Sequence, residues 1–210
     1  MLATRPKLAQ LGYHAEVPKL IDHDARRTEI AEALWRVVLR EGVSGVSIRD
    51  VAAEAGISAG SLRHVFADKE ELLAFSMRLI YQRVGERVVG HGSVRDPLRR
   101  AEAMLSEVLP FDDVRRVEMH VNLALVTDAV AHPGLAEAGL EAHDGLRALS
   151  RRVLTDLGDH GLVDARHDLE AEAMRLHALV DGLAVHLLLG HNDAPARVRR
   201  LVRDHLGSLR

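Results

Sequence analysis

The chain of 210 residues contains no cysteine. Disulfides, thiol nucleophiles and cysteine-ligated zinc or iron–sulfur centres are therefore excluded, in keeping with a reducing cytoplasm. Aromatic residues make up only 3%: Tyr13, Trp35, Phe66, Phe75, Tyr81 and Phe111. A core must then be built from Leu, Val, Ile and Ala. Prolines are few, at positions 6, 18, 97, 110, 133 and 195, and the gap from 19 to 96 leaves room for uninterrupted helices. Long apolar runs are missing. The longest, near 178–190, is broken by Asp181 and His186 and is too short and polar for a membrane span. The first twenty residues lack the apolar stretch of a signal peptide. The expected location is the cytoplasm, with no membrane partner.

What is present is ordinary for a folded chain: 47% apolar and 28% charged residues. The net charge of −3 excludes a generally basic protein that coats nucleic acid. Its distribution is uneven, with +1 over residues 1–66 and −4 over the remainder. That is the sign expected if the N-terminal part meets phosphate.

Strand signals are scarce, and apolar residues recur at helical spacing. A first helix is expected over about 25–41, with Ile30, Ala33, Leu34, Val37 and Val38 on one face and Gly42 closing it. Ser47-Ile-Arg-Asp50 reads as a capping box, Ser58 as an N-cap, and Asp68-Lys-Glu-Glu71 as the cap of a long helix to about Val89. Longer helices are expected over about 96–109, 113–131, 135–157, 168–189 and 195–206. The expected fold is all-α, with a weakly structured extension over 1–22, a small domain over 23–68 and a larger helical domain over 69–210.

The short helices Ser47–Ala55 and Ser58–Val65, separated by the turn at Gly56, have the shape of a helix-turn-helix. Val51, Ala52 and Ala55 are small enough for a close crossing, and Ile57 and Leu62 can fill the space beneath. That leaves Ser58, Ala59, Gly60, Ser61, Arg63 and His64 for the outside of the second short helix. Small residues at its start suit entry into a major groove, and Arg63 and His64 offer donors to base edges or phosphates.

The stretch from Val46 to Leu73, VSIRDVAAEAGISAGSLRHVFADKEELL, resembles the DNA-binding domain of the TetR family of transcriptional regulators over about residues 25–75. The Ser-Leu-Arg-His variant is similar to a subgroup with a betaine-regulator-like C-terminal domain. The resemblance implies a three-helix DNA-binding domain, a C-terminal helical domain for ligand binding and dimerisation, a homodimer on double-stranded operator DNA, and release by a small-molecule effector. Carried over by position, Ser47 and Lys69 contact phosphates, and Ser58, Ala59, Gly60, Ser61 and His64 face the groove. Arg63 departs from the family's usual Tyr, which puts operator preference in doubt. Arg49 joins this set as a DNA-binding candidate. Ser47 and Ser58 also serve simply as caps, and Trp35 reads as core.

Residues 1–16 precede the family's usual beginning. Arg5 and Lys7 there, with Lys19, suggest an arm for DNA, but no essential role is expected.

In the larger domain, the helix over 168–189 is apolar on more than one face and needs neighbours on both sides. It is either bundle core or, as the resemblance favours, a dimer contact made by Leu176, Leu179, Val180, Leu183 and Leu187 with Val198 and Val202 of the last helix. The effector cavity is expected among Met104, Leu105, Leu109, Phe111, Met119, Leu123, Val126 and Val130, with His120, Asn122, Thr127 and His143 as polar candidates. The shortage of aromatics speaks against a cage for a quaternary ammonium and for a mainly lipophilic effector. No catalytic motif is present: there is no His-Glu-x-x-His, no Gly-x-Ser-x-Gly and no phosphate-binding glycine loop. His177 and Asp181, one helical turn apart, are the best metal pair, but neither a metal nor another cofactor is expected. The rival to a DNA-binding regulator is a helical ligand-binding protein without operator-specific binding.

Overall fold

The computed structural model describes residues 23–190 and 195–210, so the expectations for the N-terminal extension lie outside the described residues. Among the described residues there are nine α-helices, a short 3₁₀ turn and no strand. They are α1 (His23–Gly45), α2 (Ile48–Glu54), α3 (Ala59–Val65), α4 (Lys69–Gly90), α5 (Pro97–Ser106), α6 (Asp113–Ala129), α7 (Pro133–Asp159), α8 (Leu169–Leu189) and α9 (Pro195–Gly207).

The starts follow from short polar side chains that satisfy free backbone donors. Ser47, Ser58, Asp68, Asp96 and Asp112 each accept from the N–H three residues on, and Asp168 accepts from Glu170 and Ala171. Each such cap contributes about 1 kcal/mol. At Ser47 the capping box takes a different form from the one expected: the Asp50 carboxylate accepts the Ser47 hydroxyl proton, while the Ser47 oxygen accepts the Asp50 N–H at 3.2 Å. The regular part of α1 ends where the sequence suggests, because Gly42 has φ of +71° and bends the chain out of the helix. α7 runs two residues beyond Leu157 at one end and begins at Pro133 rather than Leu135 at the other. Proline at a first helical position has no N–H to leave unsatisfied.

The helices enclose two apolar clusters. The first holds Ile30, Leu34 and Val37 of α1, Val51 and Ala52 of α2, Leu62 of α3 and Leu72, Met77 and Ile80 of α4. It continues into Val121 and Leu125 of α6 and Leu135 and Ala138 of α7. The core of the small N-terminal helices is thus continuous with the near ends of α6 and α7. The second cluster gathers Val88 of α4, Met104 and Leu105 of α5, Leu154 and Leu157 of α7, Leu176 and Val180 of α8 and Val198 and Val202 of α9. α4 threads both, and Val84 packs against each.

The residues of the expected dimer contact pack for the most part within their own chain. Leu176, Val180, Leu183, Leu187, Val198 and Val202 are buried within the second cluster of their own chain, and Leu179 is half-buried against it. Burial by α5, α6 and α7 takes up the face that the resemblance assigns to a partner. On α8 and α9 the large apolar residues left exposed are Met174, Val185, Leu189 and Leu201.

Candidate functional site

The helix-turn-helix begins with Val51 and Ala52, fully buried against α1, so α2 is set close to the core. The turn closes through Ile57 N–H to Ala52 carbonyl at 2.9 Å and Gly56 N–H to Ala53 carbonyl at 3.1 Å. This six-to-one, five-to-two pair needs a left-handed residue between the helices, and Gly56 supplies it with φ of +66°. α3 is then anchored by Leu62, which is wholly buried, while Ala59 and Val65 are half-buried against the same core. Opposite this anchor lie Ser58, Gly60, Ser61, Arg63 and His64, all exposed. The Ser58 hydroxyl oxygen accepts the Ser61 N–H at 3.0 Å and lies 2.9 Å from the Ser61 hydroxyl. Both hydroxyls are therefore fixed on the leading edge of α3. Arg49 is exposed on α2, and Ser47 is half-buried in its capping contact.

Lys69 is placed differently from a freely extended phosphate contact. Its ammonium is half-buried and donates to the Val43 carbonyl at 3.2 Å. It ties the start of α4 to the end of α1 and keeps further N–H donors. Beside it, Arg27 of α1 donates to the Val65 carbonyl at 3.2 Å and pairs with Glu71 at 2.9 Å. Its guanidinium lies 4.3 Å and 4.6 Å from the ring centres of Phe66 and Phe75. Glu71 also accepts the Ala67 N–H at 2.8 Å. That backbone donor, then Arg27, holds the Glu71 carboxyl below its ordinary pKa. The clasp fixes α3 relative to α1 and α4. Arg27 is not marked by any motif in the sequence; its one signal is a charge beside the apolar face of α1 with an acidic N3 residue, Glu71, in the α4 cap.

A cavity of about 530 Å³ opens between α4, α6 and α7, with α8 at one edge. It lies where the two apolar clusters part: Ile80 and Tyr81 line one end, Val88 and Leu109 the other. A Cβ added at Gly85 of α4 or Gly145 of α7 would meet no atom within 4 Å, and both glycines line this space. The Tyr81 hydroxyl donates to the Asn122 amide oxygen at 2.7 Å, joining α4 to α6 in the cavity wall. Burial raises the Tyr81 pKa, so the phenol stays protonated. At the far end Arg87 pairs with Glu118 at 2.6 Å and with Glu107 at 3.0 Å, and Glu107 also meets His91 at 2.8 Å. Glu118 is buried but balanced by this partner. On α8, His177 faces Asp181 at 3.2 Å and meets the His143 ring at a tilt of 44°, with ring centres 4.8 Å apart. Burial lowers the His177 pKa against the pull of Asp181. Among the described residues no three or more His, Asp or Glu side chains come together in a way that holds a metal ion.

Of the expected cavity residues, Met119, Leu123 and His143 line this space, with Leu109, Asn122 and Val126. Met104 and Leu105 are instead buried in the second cluster, because α5 turns that face toward α7 and α9. Phe111 borders a smaller groove of about 220 Å³ and lies beneath the Arg199 guanidinium at 4.1 Å. His120 and Thr127 are exposed on α6, and the Thr127 hydroxyl is spent on the Leu123 carbonyl at 2.7 Å. Val130, which the apolar pattern also suggests, is 90% exposed. Helical spacing places α6 in the cavity wall but does not give the rotation of α5, and it misses the α7 wall around Gly145. A pair of mid-helix glycines is the available signal.

Known proteins share the sequence pattern and the fold. Residues 30–75 match the family model described as bacterial regulatory proteins, tetR family, and residues 97–210 match the BetI-type transcriptional repressor C-terminal model. The HTH-type transcriptional regulator PksA of Bacillus subtilis is 38% identical over 199 residues, covering 92% of this chain and 94% of its own. The regulator BetI of Burkholderia thailandensis is 28% identical over 197 residues, covering 92% and 97%. Among solved structures, a transcriptional regulator of Rhodococcus sp. Rha1 is 29% identical with a TM-score of 0.76, covering 87% of this chain and 95% of its own. A regulator of Saccharomonospora viridis, solved in complex with choline, is 26% identical with a TM-score of 0.74, covering 88% and 95%. These are names of regulators, not of enzymes. Among the described residues no helix is long and apolar enough to cross a membrane.

Proposed function

Because the chain belongs to the TetR family of bacterial transcriptional regulators, we propose that it is a repressor that binds a near-palindromic operator as a homodimer and is released by a small, mainly lipophilic effector. The observation that carries this reading is that α4 runs from the core shared with the helix-turn-helix, where Leu72 and Leu62 lie in one cluster, into the wall of an apolar cavity. The DNA-contacting set is Ser47, Arg49, Ser58, Gly60, Ser61, Arg63, His64 and Lys69, with Ala59, half-buried against the core, at the border of that face. Arg63 reads guanine or grips phosphate in place of an aromatic side chain. The division into a DNA-binding part over 23–68 and an effector and dimer part over 69–210 belongs to the same proposal.

The dimer contact is assigned to the stripe left uncovered on α8, Met174, Ala178, Val185 and Leu189, together with Leu201 of α9. The spacing of four, seven and four keeps the α8 positions on one face. A two-fold pair then sets its α3 helices roughly 34 Å apart, one turn of DNA. An effector that prefers the conformation with a mismatched spacing lowers operator affinity by linkage. Tyr81 and Asn122 are placed to feel its entry, since their hydrogen bond spans the wall between α4 and α6.

The test is binding of the purified protein to the DNA upstream of its own gene, against random duplex, over a salt series. Specific binding with a steep salt slope supports the reading. Equal binding to both, with no preferred sequence emerging from a random library, replaces it with a ligand-binding protein that lacks an operator.

A further inference from the structure

Resting on the reading of the cavity as the effector site, we infer that the effector is an amphipathic anion, a carboxylate head held by Arg152 on an aliphatic body lying between α4 and α7. The charges around the cavity carry this. Three carboxylates reach its lining: Glu118 and Glu107 are each paired with Arg87, while Asp181 faces His177, which burial holds toward its neutral form. Among the described residues Tyr81 is the one Phe, Tyr or Trp in the lining, where a quaternary ammonium needs several rings around it. A cationic ligand therefore finds no cage, and among the described residues the one lining carboxylate not matched by a guanidinium is Asp181, at the α8 edge.

The positive groups differ. Arg115 is held by Asp112 at 2.7 Å. Arg147 and Arg151 share Glu170 of α8 at 3.6 and 2.6 Å. Asp156, one turn beyond Arg152, is held by Arg100 at 2.7 Å. Arg152 is exposed at the cavity mouth and has no partner among the described residues. A guanidinium binds a carboxylate through two parallel N–H donors, and the low polarity of the adjoining wall strengthens that bond. Arg152 lies nine residues along α7 from His143, about 13 Å at the helical rise and half a turn round the helix, so the two stand at opposite borders of the α7 wall. Gly145 and Ala148 lie between them and leave the mouth open, while Val84, Val88, Leu146 and Leu149 supply apolar contact within. That is a slot for a chain with one charged end.

Calorimetry on the full chain with decanoate, decanol and choline tests the inference. Decanoate is expected to bind a few-fold tighter than decanol, the worth of one solvent-exposed ion pair, and choline not at all. Arg152→Gln should remove the decanoate advantage and leave decanol binding as it was, whereas Arg152→Lys keeps part of it. Arg152 is exposed, so folding is preserved, and the thermal midpoint checks this. Equal binding of decanoate and decanol, preference for choline, an unchanged advantage in Arg152→Gln, or no decanoate binding at its solubility limit each overturns the inference. Gly145→Leu separates the two readings. If it blocks both probes, the cavity is the site and only the head group is at issue. If it leaves decanoate binding intact, the cavity reading fails, and the inference with it.

Discussion

The two apolar clusters share a helix but are finished differently. Around the helix-turn-helix the large apolar side chains at the centre are closed over, with Leu34, Leu62, Phe66 and Met77 all fully buried. Its outer surface is then left to small and polar groups. Farther along α4, the wall contains Gly85, Gly145 and several half-buried side chains around an unfilled space. Mid-helix glycine costs roughly 0.5–1 kcal/mol relative to alanine. Close packing serves one region, where a surface must be held in one shape. In the other, packing is given up at the seam between clusters, and that is where a ligand can act on both.

The largest expected effect tests the packed side. Leu62→Ala should cost about 2–5 kcal/mol in urea denaturation, whereas Leu123→Ala, at the cavity wall, should cost well under half of that. Equal losses would erase the contrast. Next, Arg63→Ala with His64→Ala should weaken operator binding by about 1–3 kcal/mol for each base-reading side chain removed, without moving the thermal midpoint. Unchanged operator affinity and sequence preference would remove α3 from the DNA. Tyr81→Phe should lower stability by about 0.5–1.5 kcal/mol and shift the effector concentration needed for operator release. A shift in stability alone would leave the wall without a role in coupling. Gly85→Ala should raise stability by roughly 0.5–1 kcal/mol, because the added methyl meets nothing. Gly42→Ala should lower it, since φ is +71° there.

The smallest effect is that of pH. His177 is held below its ordinary pKa by burial, so the unfolded chain binds that proton more tightly than the folded one. Its contribution is intact above about pH 7 and is lost as pH falls through the unfolded value toward the folded one. His205 acts in the same direction, also through burial. His177→Gln should flatten the fall of the thermal midpoint on the acid side, and an unaltered slope would assign that fall elsewhere.

Much of the packed region is legible because its signals are local. Ser47, Ser58 and Asp68 mark helix starts by their own hydrogen bonds, and Gly42 and Gly56 mark ends by their own dihedral angles. Periodicity locates the buried face of α1. The exposed face of α3 follows as the remainder once Leu62 and Val65 point inward. The second region depends on which neighbour a helix meets, and sequence spacing does not carry that. α8 has apolar residues on several sides, so Leu176, Val180 and Leu183 suit either core or partner. Three helices packing on them decide for core. Met104 and Leu105 escape the pattern for the same reason: the rotation of α5 is set by α7 and α9, distant in the chain.

Trp35 is the single tryptophan of the sequence and is 5% exposed. The Arg83 guanidinium of α4 lies 5.1 Å from its ring centre. The chain thus carries one optical reporter, set in α1 and looking onto a charge that rides on α4. A cation near an indole alters its emission, so any displacement of α4 against α1 is written into the intrinsic fluorescence. Operator binding and effector entry can be timed in the same cuvette without a label, and Arg83→Met provides the silent control.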